Sequence, residues 1–316
     1  MNDLYGKDLF GSSSAPKPSG PVAERFLFSP FTVLDAKQGE WLERKRAWQA
    51  IGMKSEVGRA KTLAGLVTIN HVQRTGESSS GMIIDSESEQ QTKDGTSIFD
   101  PVLCELAYRW FCPPNGQIVD PFAGGSVRGI VAAQLGFYYW GCDLRSEQID
   151  ANREQAATIC TNKVPTWVCG DSMDTLTESP EADFIFSCPP YGDLEVYSDD
   201  PADLSQMEWH TFVAAYKRII LRAVGRLKDD RFACFVVGDF RDKKGFYRDF
   251  VSTTIRGFEE CGARLYNDAI LATPVGSACM RVTKQFNASR KMAKTHQNVL
   301  VFCKGDPRTA ARKCGA

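Results

Sequence analysis

The stretch VDPFAGGSVRG, residues 119–129, changes character twice. Its first residues, with QI before them, read as a buried strand. A proline and two glycines then stop that strand, and SVRGIVAAQLG reads as a helix from about residue 126. Gly124 and Gly125 let the backbone approach a ligand closely, and the helix N-terminus favours an anionic group. The turn matches neither GxGxxG nor GxxxxGK[ST], so a dinucleotide or a nucleoside triphosphate is not the first reading. A tight strand–helix turn with no ligand has the same residues, so the surroundings must decide.

Outward from this turn a rhythm holds. DPVLCELAYRWF (100–111) reads as a helix, FYYWGCD (137–143) as a strand, and SEQIDANREQAATI as a helix that Ser146 could cap. TWVCGD (166–171) and ADFIFSC (182–188) read as strands, and 204–228 as a long amphipathic helix. RFACFVVGDF (231–240) is a strand, 246–262 is helical, and 264–274 and 298–305 are two last strands joined by a basic loop. Strands alternating with helices imply an α/β fold with a doubly wound, mostly parallel sheet. Ligands of such sheets sit beyond the carboxyl ends of the strands. Asp120, Asp143, Asp171, Cys188 and Asp239 all close a strand on that edge.

The 316 residues allow one large domain plus an extension, and 43% apolar with 24% charged residues is an ordinary globular composition. Residues 1–22 read as a disordered tail, 23–95 as an N-terminal extension, 96–305 as the main domain and 306–316 as a C-terminal tail. No run long enough to span a membrane is present, and the first residues lack a signal-peptide pattern, so a cytoplasmic protein is expected. Eleven cysteines and three histidines include no CxxC and no Cys–His cluster. Neither a metal site nor a disulfide framework is expected, and most of the cysteines read as small buried hydrophobes. The net charge of −1 leaves nucleic-acid binding to local patches.

Asp143 follows Gly124 by nineteen residues, where an acid can accept hydrogen bonds from ribose hydroxyls. Asp171 could accept from an adenine amine. Each acid alone reads equally as a helix cap. Three in register on successive strands describe a ligand with an adenosine and a charged end that is not a phosphate.

DPFAGG, GCDL, GDS and CPPY, in that order, resemble the motifs of the class I S-adenosylmethionine-dependent DNA methyltransferases, especially those that modify exocyclic amines. The resemblance spans about 96–305. It implies a Rossmann-like sheet of seven strands whose last strand is antiparallel, and S-adenosylmethionine as cofactor. It implies a cofactor site at Asp120, Phe122, Ala123, Gly124 and Gly125, with Asp143 at the ribose and Asp171 near the adenine. Ser97, in TSIFDPVLCEL, falls in the segment that contacts the cofactor carboxylate. Such an enzyme looks bacterial or phage-derived.

The segment FIFSCPPYGDLEVY (184–197) departs from the amine-modifying pattern, which has Asp, Asn or Ser before PPY. Those residues draw on the amine hydrogens and free the nitrogen lone pair, while the tyrosine stacks on a flipped base. Cys188 is a weak acceptor but a strong nucleophile once ionised. The residues Cys188, Pro189, Pro190 and Tyr191 therefore suit attack on carbon 6 of cytosine, with methylation at carbon 5. Asp239, with Arg241 beside it, could serve ring nitrogen 3, and Asp193 and Glu195 are rivals for that role. In the alternative, Cys188 is only structural, Ser187 or a backbone group handles an exocyclic amine, and the product is N4-methylcytosine or, third in order, N6-methyladenine.

DNA is the expected partner. The run MRVTKQFNASRKMAKTH (280–296) has no acid, could reach the active edge, and offers Arg281, Lys284, Arg290, Lys291 and Lys294 to phosphates, although a solvated loop would look the same. Arg44 and Lys45, interleaved with Trp41 and Trp48, are a second candidate, unless the tryptophans pack this helix on the core. RNA or protein methylation, and a catalytically dead cofactor-binding module on DNA, are the rival functions.

Overall fold

A computed structural model of the chain describes residues 26–53, 99–192, 198, 200–275 and 278–315. The elements in chain order are β1 (Val33–Asp35), α1 (Gly39–Ala50), α2 (Pro101–Phe111), β2 (Gln117–Asp120), α3 (Val127–Gln134), β3 (Tyr138–Asp143), α4 (Ser146–Ile159), β4 (Thr166–Cys169), α5 (Ser172–Thr175), β5 (Ala182–Ser187), α6 (Trp209–Arg226), β6 (Leu227–Val237), α7 (Phe250–Glu259), β7 (Ala263–Ala272), α8 (Ala278–Ser289), β8 (His296–Lys304) and α9 (Pro307–Lys313).

The strands form one sheet in the order β1-β7-β8-β6-β5-β2-β3-β4. All pairings are parallel except those of β8, which runs antiparallel to both β6 and β7. The antiparallel last strand is the one the resemblance implies. The sheet has eight strands and not seven, because β1 from the N-terminal extension adds at the edge beside β7.

Both faces of the central strands are buried, with period-two alternation. Ile118, Phe184, Phe186, Phe232 and Cys234 point into one core, under α1, α2, α3 and α4. Val119, Ile185, Ala233 and Phe235 point into the other, under α6 and α7. Helix α6 fits that second face because Phe212, Tyr216, Ile219, Ile220, Ala223 and Val224 recur at helical spacing and are buried.

The described part of the extension is built into this domain. Glu105 of α2 is fully buried and takes Arg44 in a two-pronged ion pair, Nε to Oε2 and Nη2 to Oε1, both at 2.6 Å. Trp48 Nε1 donates to Oε2 at 2.7 Å and Arg109 Nε to Oε1 at 2.9 Å. Asp100 caps α2 by accepting from Val102 N and Leu103 N, and it also takes Trp41 Nε1 at 3.1 Å. Arg44 is therefore committed inside the protein, which corrects its reading as a DNA contact: the tryptophans pack this helix on the core.

Burial alone would raise the Glu105 pKa, but Arg44, Arg109 and Trp48 outweigh it and hold the carboxyl below its ordinary 4.5. A depressed carboxylate contributes stability that is complete above about pH 4.5 and is lost as pH falls through the lower folded value. Urea unfolding from pH 7 down to pH 3 should show Glu105→Gln less stable by about 1–3 kcal/mol at pH 7, because Arg44 loses its counter-charge. The gap should narrow towards pH 3. A gap that stays constant over that range would exclude Glu105 as the titrating group.

Three further expectations change. Residues 306–316 are not a bare tail but hold α9, capped by Asp306, with Ala310 and Cys314 buried. Ser146 does not cap α4, whose flanking residue is Arg145; its hydroxyl meets Glu147 instead. The connection between the last two strands carries a helix, α8, and is not a loop throughout. Residues 1–22 and the boundary near 95 lie outside the described residues.

Candidate functional site

One cavity of about 760 Å³ lies along the carboxyl edge of the parallel strands, and its size suits a small-molecule ligand or cofactor. Pro121, Phe122, Gly124 and Gly125 from the turn after β2, Asp143 after β3 and Asp171 after β4 form one end. Cys188, Pro189, Pro190 and Tyr191 after β5, with Gly238, Asp239 and Phe240 after β6, form the other.

The glycine turn is held open from outside. Gly124 sits at φ +47°, which L side chains rarely adopt. Its N–H donates to Asp143 Oδ2 at 3.0 Å, and its carbonyl accepts from Asn152 Nδ2 at 2.7 Å. Asp143 Oδ1 also accepts from Arg145 N at 3.0 Å. Asp171 caps α5 by accepting from Met173 N at 2.8 Å, so cap and cavity wall are one residue here.

Asp120 does not reach the cavity. It is completely buried and accepts from four groups: Ser187 Oγ (2.5 Å) and Phe122 N (3.1 Å) on Oδ1, Arg128 Nε (2.6 Å) and Tyr139 OH (2.8 Å) on Oδ2. Arg128 also donates to the carbonyls of Phe122 and Ala123. Burial would push Arg128 down, but Asp120 beside it keeps its guanidinium charged. Asp120 thus fastens the turn to the sheet, which corrects its reading as a cofactor contact. Ala123 is buried beneath the turn, its N–H donating to Cys142 O at 2.9 Å, and is likewise a support. The Ser187 hydroxyl is consumed by Asp120 and faces no cavity, so the amine-handling role considered for it falls. Ser97 lies outside the described residues; the nearby Phe99, Asp100 and Leu103 do line the cavity.

At the other end the Tyr191 hydroxyl accepts from Gln297 Nε2 at 2.8 Å, and its ring meets Phe240 edge-on at 6.2 Å. Asp239 Oδ1 accepts from Phe250 N at 2.6 Å and Val251 N at 3.2 Å, anchoring the start of α7 at the cavity wall. Lys294, His296 and Gln297 join this wall. A Cβ on Gly238 would lie 3.4 Å from Lys294 Cε and 3.7 Å from both Lys294 Nζ and Tyr191 Cε1, so glycine leaves room for both side chains. Burial lowers the Lys294 pKa, with Asp239 opposing. The sequence offers Lys294 only as one cation of a connection that could reach the active edge, and nothing in it brings His296 and Gln297 to the site. The antiparallel direction of β8 does so, because its start and not its end meets the carboxyl edge of the other strands.

Two described cysteines line the cavity, Cys142 and Cys188. Burial pushes the Cys142 thiol up to about 12. Cys188 is half-buried. Burial also raises Cys104, Cys112 and Cys234, which lie inside the cores. Asp193 and Glu195 lie outside the described residues. Among those described, no group of three or more His, Cys, Asp or Glu side chains could hold a metal ion, and no helix is long and apolar enough to cross a membrane.

Of the residues read as DNA contacts, Lys45 lines the cavity and pairs with Asp100 at 3.6 Å. Lys284 and Arg290 are exposed, and the Arg290 guanidinium lies 5.2 Å from the Phe286 ring centroid. The Arg281 side chain is outside the described part.

No family model and no curated protein matches the chain. Solved structures resemble it in general architecture. TrmN from Thermus thermophilus is 15% identical with a TM-score of 0.43, the match covering 65% of this chain and 49% of TrmN. The chain thus spans about half the length of that protein. A TehB-like S-adenosylmethionine-dependent methyltransferase from Corynebacterium glutamicum is 18% identical (TM-score 0.39, 66% of this chain, 90% of that one). Magnesium protoporphyrin IX methyltransferase from Synechocystis, with bound S-adenosylmethionine, is 11% identical (TM-score 0.38, 61% and 71%). Likeness at this level carries no argument about substrate or chemistry.

Proposed function

We propose that the chain is an S-adenosylmethionine-dependent DNA methyltransferase that acts on a flipped-out cytosine at carbon 5, with Cys188 as nucleophile. The observation that carries this reading is the half-buried Cys188 in one cavity with the glycine turn and the Tyr191–Asp239 wall. Cys142, the other described cysteine of that cavity, is held protonated by burial.

The residues present fit the cofactor. Gly124 and Gly125 give backbone access, and the carboxylates of Asp143 and Asp171 suit hydroxyl, amine and cationic groups. When bound, the cofactor supplies an electrophilic methyl group. The protein's part is to make carbon 5 electron-rich. The Cys188 thiolate forms a bond to carbon 6, the 5,6 π pair moves to the 4,5 bond and the 3,4 π pair to nitrogen 3, giving an enamine. Asp239 is the group placed to hold the proton that nitrogen 3 takes up as the adduct forms, which lowers the cost of that addition. After methylation, a base removes the carbon 5 proton, that C–H pair forms the 5,6 double bond as the carbon 6–sulfur bond breaks and the Cys188 thiolate leaves, and the proton at nitrogen 3 returns to Asp239, which restores the ring. Tyr191 stacks on the flipped base. Lys284, Arg290 and Lys291 contact phosphates, with Arg281 in the same run.

A runner-up has its own support: Cys188 packs against the core beneath β5, as a purely structural residue would. The reaction would then be exocyclic-amine methylation, N4 of cytosine before N6 of adenine. To test these readings, DNA, RNA and protein acceptors are incubated with labelled S-adenosylmethionine and the DNA is digested to nucleosides for mass spectrometry. The expected product is 5-methyldeoxycytidine. N4-methyldeoxycytidine or N6-methyldeoxyadenosine would install the runner-up, and transfer to RNA or protein alone, or to nothing, would sink the proposal.

A further inference from the structure

Residues 240–248, FRDKKGFYR, build a small hairpin at the rim of the cavity. Arg241 and Tyr247 form an antiparallel bridge, Arg248 N donates to Phe240 O at 2.9 Å, and Asp242 N to Phe246 O at 2.8 Å. The tip turns at Gly245, φ +97°. Arg241 stiffens it from within, donating from Nη1 to Gly245 O at 2.8 Å with its guanidinium 3.9 Å from the Tyr247 ring centroid. The single acid, Asp242, is used locally, accepting from Lys244 N and Phe246 N at 2.9 Å each. Lys243 and Lys244 are exposed. Phe246 is 72% exposed although its backbone is held by these bonds. Phe240 at the root packs on Tyr191 and, at 5.7 Å, on Trp209.

An ordered hairpin that holds a phenylalanine out in water between cations has a face suited to nucleic acid. The apolar ring can enter a base stack, and lysines beside it can meet phosphates. Lys291 lies across the hairpin: its Cε is 2.8 Å from where a Gly245 Cβ would be. The hairpin thereby meets Lys291, which directly follows the exposed Arg290 in the chain.

The geometry points to the 240–248 hairpin as a double-stranded DNA wedge, with Phe246 filling the gap left by the flipped base and Lys243 and Lys244 gripping the flanking phosphates. This rests on the base-flipping reading above. Single-stranded acceptors leave no gap in a duplex, so they need no wedge.

The test uses the full chain as wild type, as Phe246→Ala and as Lys243→Gln/Lys244→Gln, with sheared genomic DNA either native or heat-denatured. Phe246→Ala should lose about tenfold in methyl incorporation into native DNA and under about twofold into denatured DNA. The double lysine variant should flatten the dependence of log affinity on log salt for native DNA by about 2. Equal losses on both DNA forms, or no loss on either, would overturn the wedge; a change of salt slope with RNA only would overturn the assignment to DNA. If wild type methylates no DNA, the function proposal falls, and the salt slopes of binding still decide the hairpin. If wild type is active and the variants match it, the hairpin inference falls alone.

Discussion

Asp120→Ala should cost about 3–5 kcal/mol of folding stability, the range for removing one partner of a buried, hydrogen-bonded charge pair. The carboxylate has no exposure and gathers Arg128, Tyr139, Ser187 and the Phe122 N–H. Alanine would leave the Arg128 guanidinium charged and uncompensated at the centre of the sheet edge. It would also orphan the Tyr139 and Ser187 hydroxyls. The DPFAGG turn would lose its tie to β5 and to α3, so cofactor affinity should fall with stability. Urea unfolding at pH 7 reads the first effect and calorimetric titration with S-adenosylmethionine the second. Adding Arg128→Met to Asp120→Ala should cost less than the sum of the two single changes, because the second substitution removes the stranded charge. A single-variant loss below about 1 kcal/mol would contradict this account of Asp120.

Asp120 also marks where sequence reasoning stops. The pattern around it was readable: strand, glycine turn, helix, and a recurring acid at each strand end. Those are local features, and the elements they predicted exist with ends displaced by a few residues. Whether an acid at a strand end faces ligand or core depends on partners far along the chain. Ser187 lies 67 residues from Asp120, and Glu105 lies 61 from Arg44. A lone sequence displays the charge of Arg44 but not the carboxylate that neutralises it, so a buried clamp looked like a basic patch. Helix α8 was missed for a different reason. Its side chains from 283 to 289 are exposed, and the few apolar residues of the run are interrupted by basic and polar ones, so the run reads as a solvated loop. The 240–248 hairpin went unnoticed because its exposed phenylalanine fits neither the alternating nor the helical pattern. The added edge strand β1 is too short, at three residues, to carry alternation. Cys188 stood out by contrast because it departs from the Asp, Asn or Ser that the resembled family has before PPY, a comparison that requires no knowledge of distant contacts.

Cys188→Ser should reduce methyl transfer to DNA by at least about 10³-fold while leaving stability and cofactor affinity near wild type. The change removes one polarisable atom at a half-buried position and creates no large cavity, so a folding defect is not expected. Serine is nearly isosteric, but its hydroxyl ionises far less readily than a thiol and adds poorly to carbon 6. DNA carrying 5-fluorocytosine separates nucleophilic from structural roles without relying on rates. Once the Cys188 sulfur is bonded to carbon 6 and carbon 5 is methylated, fluorine cannot depart as a cation, so the thiolate cannot be expelled. Wild type should remain attached to that DNA in hot detergent, and Cys188→Ser should not. Exocyclic-amine chemistry makes no bond between protein and base and would give no such complex with either protein. A serine variant that forms the same methylated nucleoside at the wild-type rate would remove Cys188 from the chemistry and leave Tyr191, Asp239 and Lys294 as the groups that define the base site.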